Sequence, residues 1–332
     1  MVVKAYRRRL QITGGTTYTV SLPKTWIIRN GLEKGAEVII LDRGEYLEIT
    51  LTKPMERDYE SKLNIVTLEV TQDEVSSIER LLIAYYEAGY DIIKIVQNPI
   101  LSEDLRNNMR RILLRLSGLE IVEEAANYII LQSIVDASYI PINRTLDRME
   151  TLVESMLEDL IKYFKIGDTG ILDSIVERDN ELDKFYFFLS KQIALAIKKE
   201  EVLDRVGIED PVLTITYKSY GRCLEEMGDT IVSMARYLSR ESKAIDQRIV
   251  ELIKLMEKGF LQSVKAFREN SEESGKAVSN LYTCFFTSFT EGTEYYGDVI
   301  VLLVGRFLSL CVDIIETYIE RNALLSVCKR KV

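Results

Sequence analysis

The ten residues ERDNELDKFY, Glu177 to Tyr186, set Asp179 and Asp183 four positions apart, and RCLEEMGDTI, Arg222 to Ile231, does the same for Glu225 and Asp229. On an α-helix, positions four apart share a face, so each pair reads as two carboxylates one turn from each other. The surroundings are helical by their apolar period. Leu146, Met149, Leu152, Met156, Leu160 and Tyr163 form one stripe, and Ile171, Ile175, Leu182, Tyr186, Leu189 and Ile193 form a second. Leu213, Tyr217, Leu224, Met227, Ile231, Met234 and Leu238 form a third. Short polar links between stripes predict a three-helix bundle over residues 139–242. The cycle repeats through Ile249, Leu252, Met256 and Phe267, then Leu281, Phe285 and Phe289, then Val299, Leu302 and Leu310, which predicts a second bundle over 244–328 and a tandem duplication.

Upstream, residues 60–135 alternate between strand and helix signals: strands at Leu63–Thr71 and Asp91–Gln97, helices at Asp73–Ala88 and Ser102–Leu116, then two strands around Glu123–Asn127. Asp73 and Ser102 stand where N-caps belong. A small α/β domain follows, with no glycine-rich phosphate loop and no ionisable cluster; it reads as a spacer or a sensor. Residues 1–53 alternate with period two, from Ala5 to Ile12, a Gly14-Gly15 turn, and Thr16 to Leu22. Pro23 opens a short helix that Asn30-Gly31 closes, and a second hairpin runs from Val38 to Leu51 about Arg43-Gly44. The fold class is therefore multidomain and mainly α, with an N-terminal hairpin β domain, a small α/β domain and tandem three-helix bundles.

Several function classes fall away on composition. The chain has 332 residues and no histidine, which removes Ser-His-Asp, Cys-His and His-ligated zinc chemistry. Cys223, Cys284, Cys311 and Cys328 form no C-x-x-C pair and read as ordinary small side chains. No apolar run suits a bilayer span, and the opening MVVKAYRRRL has none of the pattern of a secretory signal, so a cytoplasmic protein without membrane insertion is expected. The net charge of −9 hides an asymmetry. Lys4, Arg7, Arg8, Arg9, Lys24, Arg29, Lys34 and Arg43 leave the first 52 residues net positive, while the remainder is strongly acidic.

If neighbouring helices bring the two acidic pairs together, like charges about 5 Å apart cost about 3 kcal/mol at an effective dielectric near 20. Either the carboxylates become harder to ionise or a cation neutralises them, and an all-oxygen donor set suits Mg, Mn, Ca or Fe. The plain alternative is a solvated acidic helix face.

The two runs resemble the second- and third-helix motifs of the PhoU family, whose signature is E/D-x-x-x-D. The resemblance implies Asp179, Asp183, Glu225 and Asp229 as ligands of a divalent or trivalent metal; Thr230 stands where the family has a histidine. In the second repeat Ser309 takes the place of Glu225, and Gly275 and Ser279 those of Asp179 and Asp183. Only Asp313 is kept, so one metal site per chain is expected.

The run TGGTTYTVSLPKTWIIRNGLEKGAEVIIL, Thr13 to Leu41, resembles the AbrB/SpoVT swapped-hairpin pattern. That family forms an interlocked dimer, and fifty residues of two hairpins bury too little apolar surface alone. Lys4, Arg7, Arg8, Arg9, Lys24 and Arg29 are the candidate DNA contacts, with Arg7 to Arg9 alternating on a strand. The alternative for them is protection of an edge strand. Together these features predict a non-enzymatic, homodimeric, DNA-binding regulator of phosphate homeostasis with a metal-binding sensor. An adaptor acting on a phosphate transporter or signalling kinase, its hairpin used only to dimerise, is the second reading. A carboxylate-metal hydrolase or oxygen-using di-iron enzyme is the third.

Overall fold

The computed structural model describes residues 5–42, 44, 47–51, 63–71, 74, 77–240, 247–290 and 299–328. They fall into two compact units, residues 1–63 and 64–332. Lys4, Asp73, Arg43 and Tyr46 lie outside the described residues, as do the side chains of Phe289 and Cys328.

In the first unit β1 (Gln11–Thr13) pairs antiparallel with β2 (Thr17–Thr19), and the turn runs through Gly14 and Gly15 at positive φ. The expected strand from Ala5 is shorter than its alternation suggests, because Ala5–Leu10 joins no ladder. β1 has only the three residues of β2 to pair with. α1 (Lys24–Arg29) starts after Pro23 and ends at Asn30, whose side-chain amide donates to the Trp26 carbonyl at 2.8 Å. β3 (Val38–Asp42) and β4 (Leu47–Leu51) make the second hairpin. None of this unit's described apolar side chains is buried, and Ile12, Tyr18, Ile40 and Leu47 stand open to solvent.

The second unit begins with a four-stranded sheet in the order β5-β6-β8-β7, formed by β5 (Ile65–Glu69), β6 (Ile92–Val96), β7 (Leu119–Glu124) and β8 (Tyr128–Ser133). β5 and β6 are parallel across the helix α2 (Ile78–Glu87), while β8 is antiparallel to both its neighbours. The amphipathic α3 (Glu103–Leu113) buries Leu105, Met109 and Ile112. Ser102 caps it as expected, its hydroxyl accepting from the Leu105 amide.

Six long helices follow: α4 (Ile142–Ile166), α5 (Gly170–Lys198), α7 (Thr214–Arg240), α8 (Gln247–Glu269), α9 (Glu272–Thr290) and α10 (Val299–Cys328), with the short α6 (Glu200–Val206) between α5 and α7. α4, α5 and α7 pack as one bundle and α8, α9 and α10 as another; α7 lies on α10, α4 lies on α8, and α2 packs against α5. The second and third stripes of the first bundle are buried throughout, and in the first only Tyr163 is partly open. The first turn of α10 differs in phase from expectation, while Leu310 is buried as expected. Val299 and Leu302 are exposed, and Ile300, Val304, Phe307, Cys311 and Ile314 face the core. The run VIVLLV is apolar all round, so its period carries no direction.

A polar network holds the bundles in register. The Arg268 guanidinium on α8 donates to Glu150 and Asp147 at 2.7 Å and to Asn143 at 3.0 Å, all on α4, and the Tyr220 hydroxyl on α7 donates to Glu150 at 2.6 Å. Tyr220 stacks on Phe267 with centroids 3.9 Å apart. Removing one partner from a mostly buried pair typically costs about 3 kcal/mol, so Arg268→Ala is expected to lower the unfolding free energy by about that much in urea titrations, and Arg268→Lys by less.

Candidate functional site

α5 and α7 run antiparallel and approach closely because two glycines of α7 face leucines of α5. A Cβ on Gly221 would overlap Leu189, and one on Gly228 would overlap Leu182 and come within 3.0 Å of Asp179 Oδ1. Gly221 and Gly228 are one heptad apart, so both lie on the same stripe of α7. This contact draws the two acidic pairs together. The charges of Asp183 and Asp229 both act on Asp179 and on Glu225.

The four residues grade from core to surface. Asp183 and Glu225 are 9% and 8% exposed, Asp179 is half-buried and Asp229 is exposed. One carboxylate of each pair is therefore in the core and the other nearer the surface. Burial is the first cause that pushes Asp179 up to about 7, reinforced by Asp183 and Asp229 and opposed by Arg236 and Arg115. Glu225 is also pushed up to about 7, by burial first, against the pull of Arg222. Asp183 is raised by burial but held back by Arg115.

The hydrogen bonding of the cluster is incomplete. Asp179 Oδ1 is buried and accepts from no donor among the described residues. Glu225 Oε2 has Arg222 Nη1 at 3.3 Å without hydrogen-bond alignment. Asp183 Oδ2 accepts from Arg115 Nη2, whose Nη1 also donates to Glu79 at 2.8 Å. Arg115 comes from the α/β layer just beyond α3, and nothing in the periodicity of RRILLRLSGLE marks it out. Thr230 is buried and back-bonded to the Glu226 carbonyl at 2.7 Å.

The donors are all carboxylate oxygens, which suits a hard cation, and the buried Asp179 Oδ1 is an atom such a cation would satisfy. As the side chains stand, no three Asp, Glu or Cys groups among the described residues converge tightly enough to enclose an ion. In the second repeat the Ser279 hydroxyl is turned to the Gly275 carbonyl, and that of Ser309 to the Gly305 carbonyl. Asp313 lies instead among Glu316, Arg306 and Glu226. Burial pushes the Cys223 thiol up to about 12; Cys223, Cys284 and Cys311 form no disulfide among the described residues.

In the hairpin unit Arg7, Arg8, Arg9, Lys24 and Arg29 are all exposed. The Tyr6 hydroxyl lies 3.1 Å from the Thr25 hydroxyl, which ties the basic N-terminal segment to α1 beside Lys24. Arg8 lies over the Tyr6 ring, 5.7 Å from its centroid. Because Ala5–Leu10 is outside the ladder, strand alternation does not set the directions of the three arginines.

The family comparisons agree with both resemblances. Residues 146–238 match the PhoU domain, and residues 11–58 match the family described as antidote-toxin recognition MazE, bacterial antitoxin, which is of the AbrB type. No curated protein and no solved structure gave a match. Among the described residues, no helix is long and apolar enough to cross a membrane.

The raised carboxylates set a pH dependence. Below about pH 4 Asp179 and Glu225 are protonated in both folded and unfolded chains and cost nothing. Between about pH 4 and 7 the unfolded chain ionises them while the folded chain keeps them protonated, so stability falls, and the loss levels off above about 7. With chelator present, urea midpoints are expected to drop from pH 5 to pH 8 in the wild type and to drop less in Asp179→Asn/Glu225→Gln.

Proposed function

We propose that this chain is a non-enzymatic regulator of phosphate homeostasis, acting in the cytoplasm as a homodimer, whose hairpin unit binds DNA and whose first bundle holds a metal ion between α5 and α7. The observation that carries it is the burial of Asp183 and Glu225, from two helices of the PhoU-matching segment, in one acidic cluster with Asp179, whose buried Oδ1 has no donor among the described residues. Isolated buried carboxylates are costly unless protonated, paired or metal-bound. Asp179, Asp183, Glu225 and Asp229 would be the ligands, and a cation there would supply the positive charge that lets all four ionise at neutral pH.

The DNA reading rests on the exposed Arg7, Arg8, Arg9, Lys24 and Arg29 together with the MazE match. A two-fold dimer doubles those cations, and it would cover the apolar side chains that the hairpins leave open. That open apolar surface also favours a second reading, in which the hairpin only dimerises and the acidic helices engage a phosphate transporter or signalling protein.

Two measurements separate these ideas. Neutralising about 6 to 10 phosphates makes affinity fall about 10³- to 10⁵-fold from 50 to 200 mM salt, so gel shifts on duplex DNA are expected to weaken steeply across that range. A flat response, or no binding at low salt, discards DNA and leaves the adaptor. Elemental analysis of purified protein is expected to find metal in the wild type and none in Asp179→Ala/Glu225→Ala; metal retained by the double variant contradicts the ligand assignment.

A further inference from the structure

The position of Arg115 gives the α/β layer a role in the acidic cluster. We infer that Arg115 is a built-in counter-ion that a metal cation must displace from Asp183, so that metal loading is felt in the α/β layer. The inference rests on the metal reading above and concerns the regulation of that same site.

Three observations support it. The first is competition for one atom: Arg115 Nη2 donates to Asp183 Oδ2, an oxygen of the most buried carboxylate on the α5 side of the cluster. The carboxylate has further lone pairs, but an ion coordinated at Asp183 would set its positive charge directly against the guanidinium, and the like charges compete for the one carboxylate. The second is that the arginine is incompletely held. Its Nε is buried without a hydrogen-bond partner among the described residues, and its guanidinium carbon lies 5.4 Å from the Phe187 ring centroid. The third is that it has somewhere to go. A cavity of about 390 Å³ lies beside it, lined in part by Glu79, Asn108, Arg111 and Asn180. Glu79, already bonded to Nη1 at 2.8 Å, offers a carboxylate away from the cluster.

The link is mechanical as well as electrostatic. Arg115 lies between Ile112 and Leu116, which are both buried, and its amide donates to the Ile112 carbonyl at 2.9 Å as the chain leaves α3. The Gly118 turn follows, where a Cβ would overlap Val135. Releasing the side chain from Asp183 removes the ion pair that holds this segment to α5. An arginine places one delocalised charge at the cluster and shares it with Glu79; a divalent ion places two on the carboxylates themselves.

The test uses the full chain and Mn²⁺ as probe, with titration calorimetry and hydrogen exchange read by mass spectrometry. Arg115→Ala is expected to bind Mn²⁺ more tightly by about tenfold, the factor by which a competing contact populated nine times in ten depresses apparent affinity. Arg236→Gln, which removes a cation acting on Asp179 through its charge, is expected to change affinity much less. In the wild type, saturating Mn²⁺ is expected to speed amide exchange across residues 110–118 several-fold, and this readout needs no variant. Equal affinity in wild type and Arg115→Ala, an equal gain in Arg236→Gln, or unchanged exchange in a wild type that binds Mn²⁺ overturns the inference while leaving the metal reading standing. No Mn²⁺ binding by either wild type or Arg115→Ala overturns both.

Discussion

Buried carboxylates from two helices, held together by a backbone contact, are the constraint on which the rest of the second unit turns. Gly221 and Gly228 let α7 approach Leu189 and Leu182 of α5, and the same approach takes Asp183 and Glu225 out of water. Apolar contact supplies the drive, since the stripes on both helices are buried throughout. Once the acidic groups are desolvated, they can be satisfied in three ways: protonation, an arginine or a cation. The second is present at Asp183, which is paired with Arg115, and burial moves Asp179 and Glu225 toward the first, pushing both up to about 7.

Tying the cluster to Arg115 changes the meaning of the α/β layer. α2 packs on α5, Tyr86 donates to the Ser117 carbonyl at 2.8 Å, and Lys191 of α5 reaches Ser133 of β8 at 2.6 Å. The layer is thus joined to the face of the bundle that carries the carboxylates. The second bundle repeats the helical frame, but at the positions matching the acidic pairs it carries Gly275, Ser279 and Ser309 beside Asp313. It packs on the first bundle: α8 and α10 brace α4 and α7 through Arg268, through the Tyr220–Phe267 stack and through the hold of Arg306 on Glu226.

What could be read from the sequence was what is local and periodic. The i, i+4 acidic pairs and the three stripes around them are spacings within single helices, and geometry within a helix is fixed by its 3.6-residue turn. The Ser102 cap and the Gly14-Gly15 turn are likewise properties of a few neighbouring residues. Three features were not legible for physical reasons. Arg115 meets Asp183 across 68 positions, and no period records such a contact. VIVLLV has apolar residues on every face, so the buried side of α10 is set by what α7 and α8 offer. The alternation of Ala5–Leu10 signals a strand, but a strand also needs a partner edge, and within one chain β2 supplies only three residues.

If one cation site is built from both helices, anomalous diffraction from crystals grown with Mn²⁺ will locate it. One strong peak per chain is expected in the first bundle, within coordination distance of carboxylates from both α5 and α7, with Arg115 drawn off Asp183. A peak touching only one helix, a peak elsewhere in the molecule, or none at all at full Mn²⁺ saturation would contradict such a site.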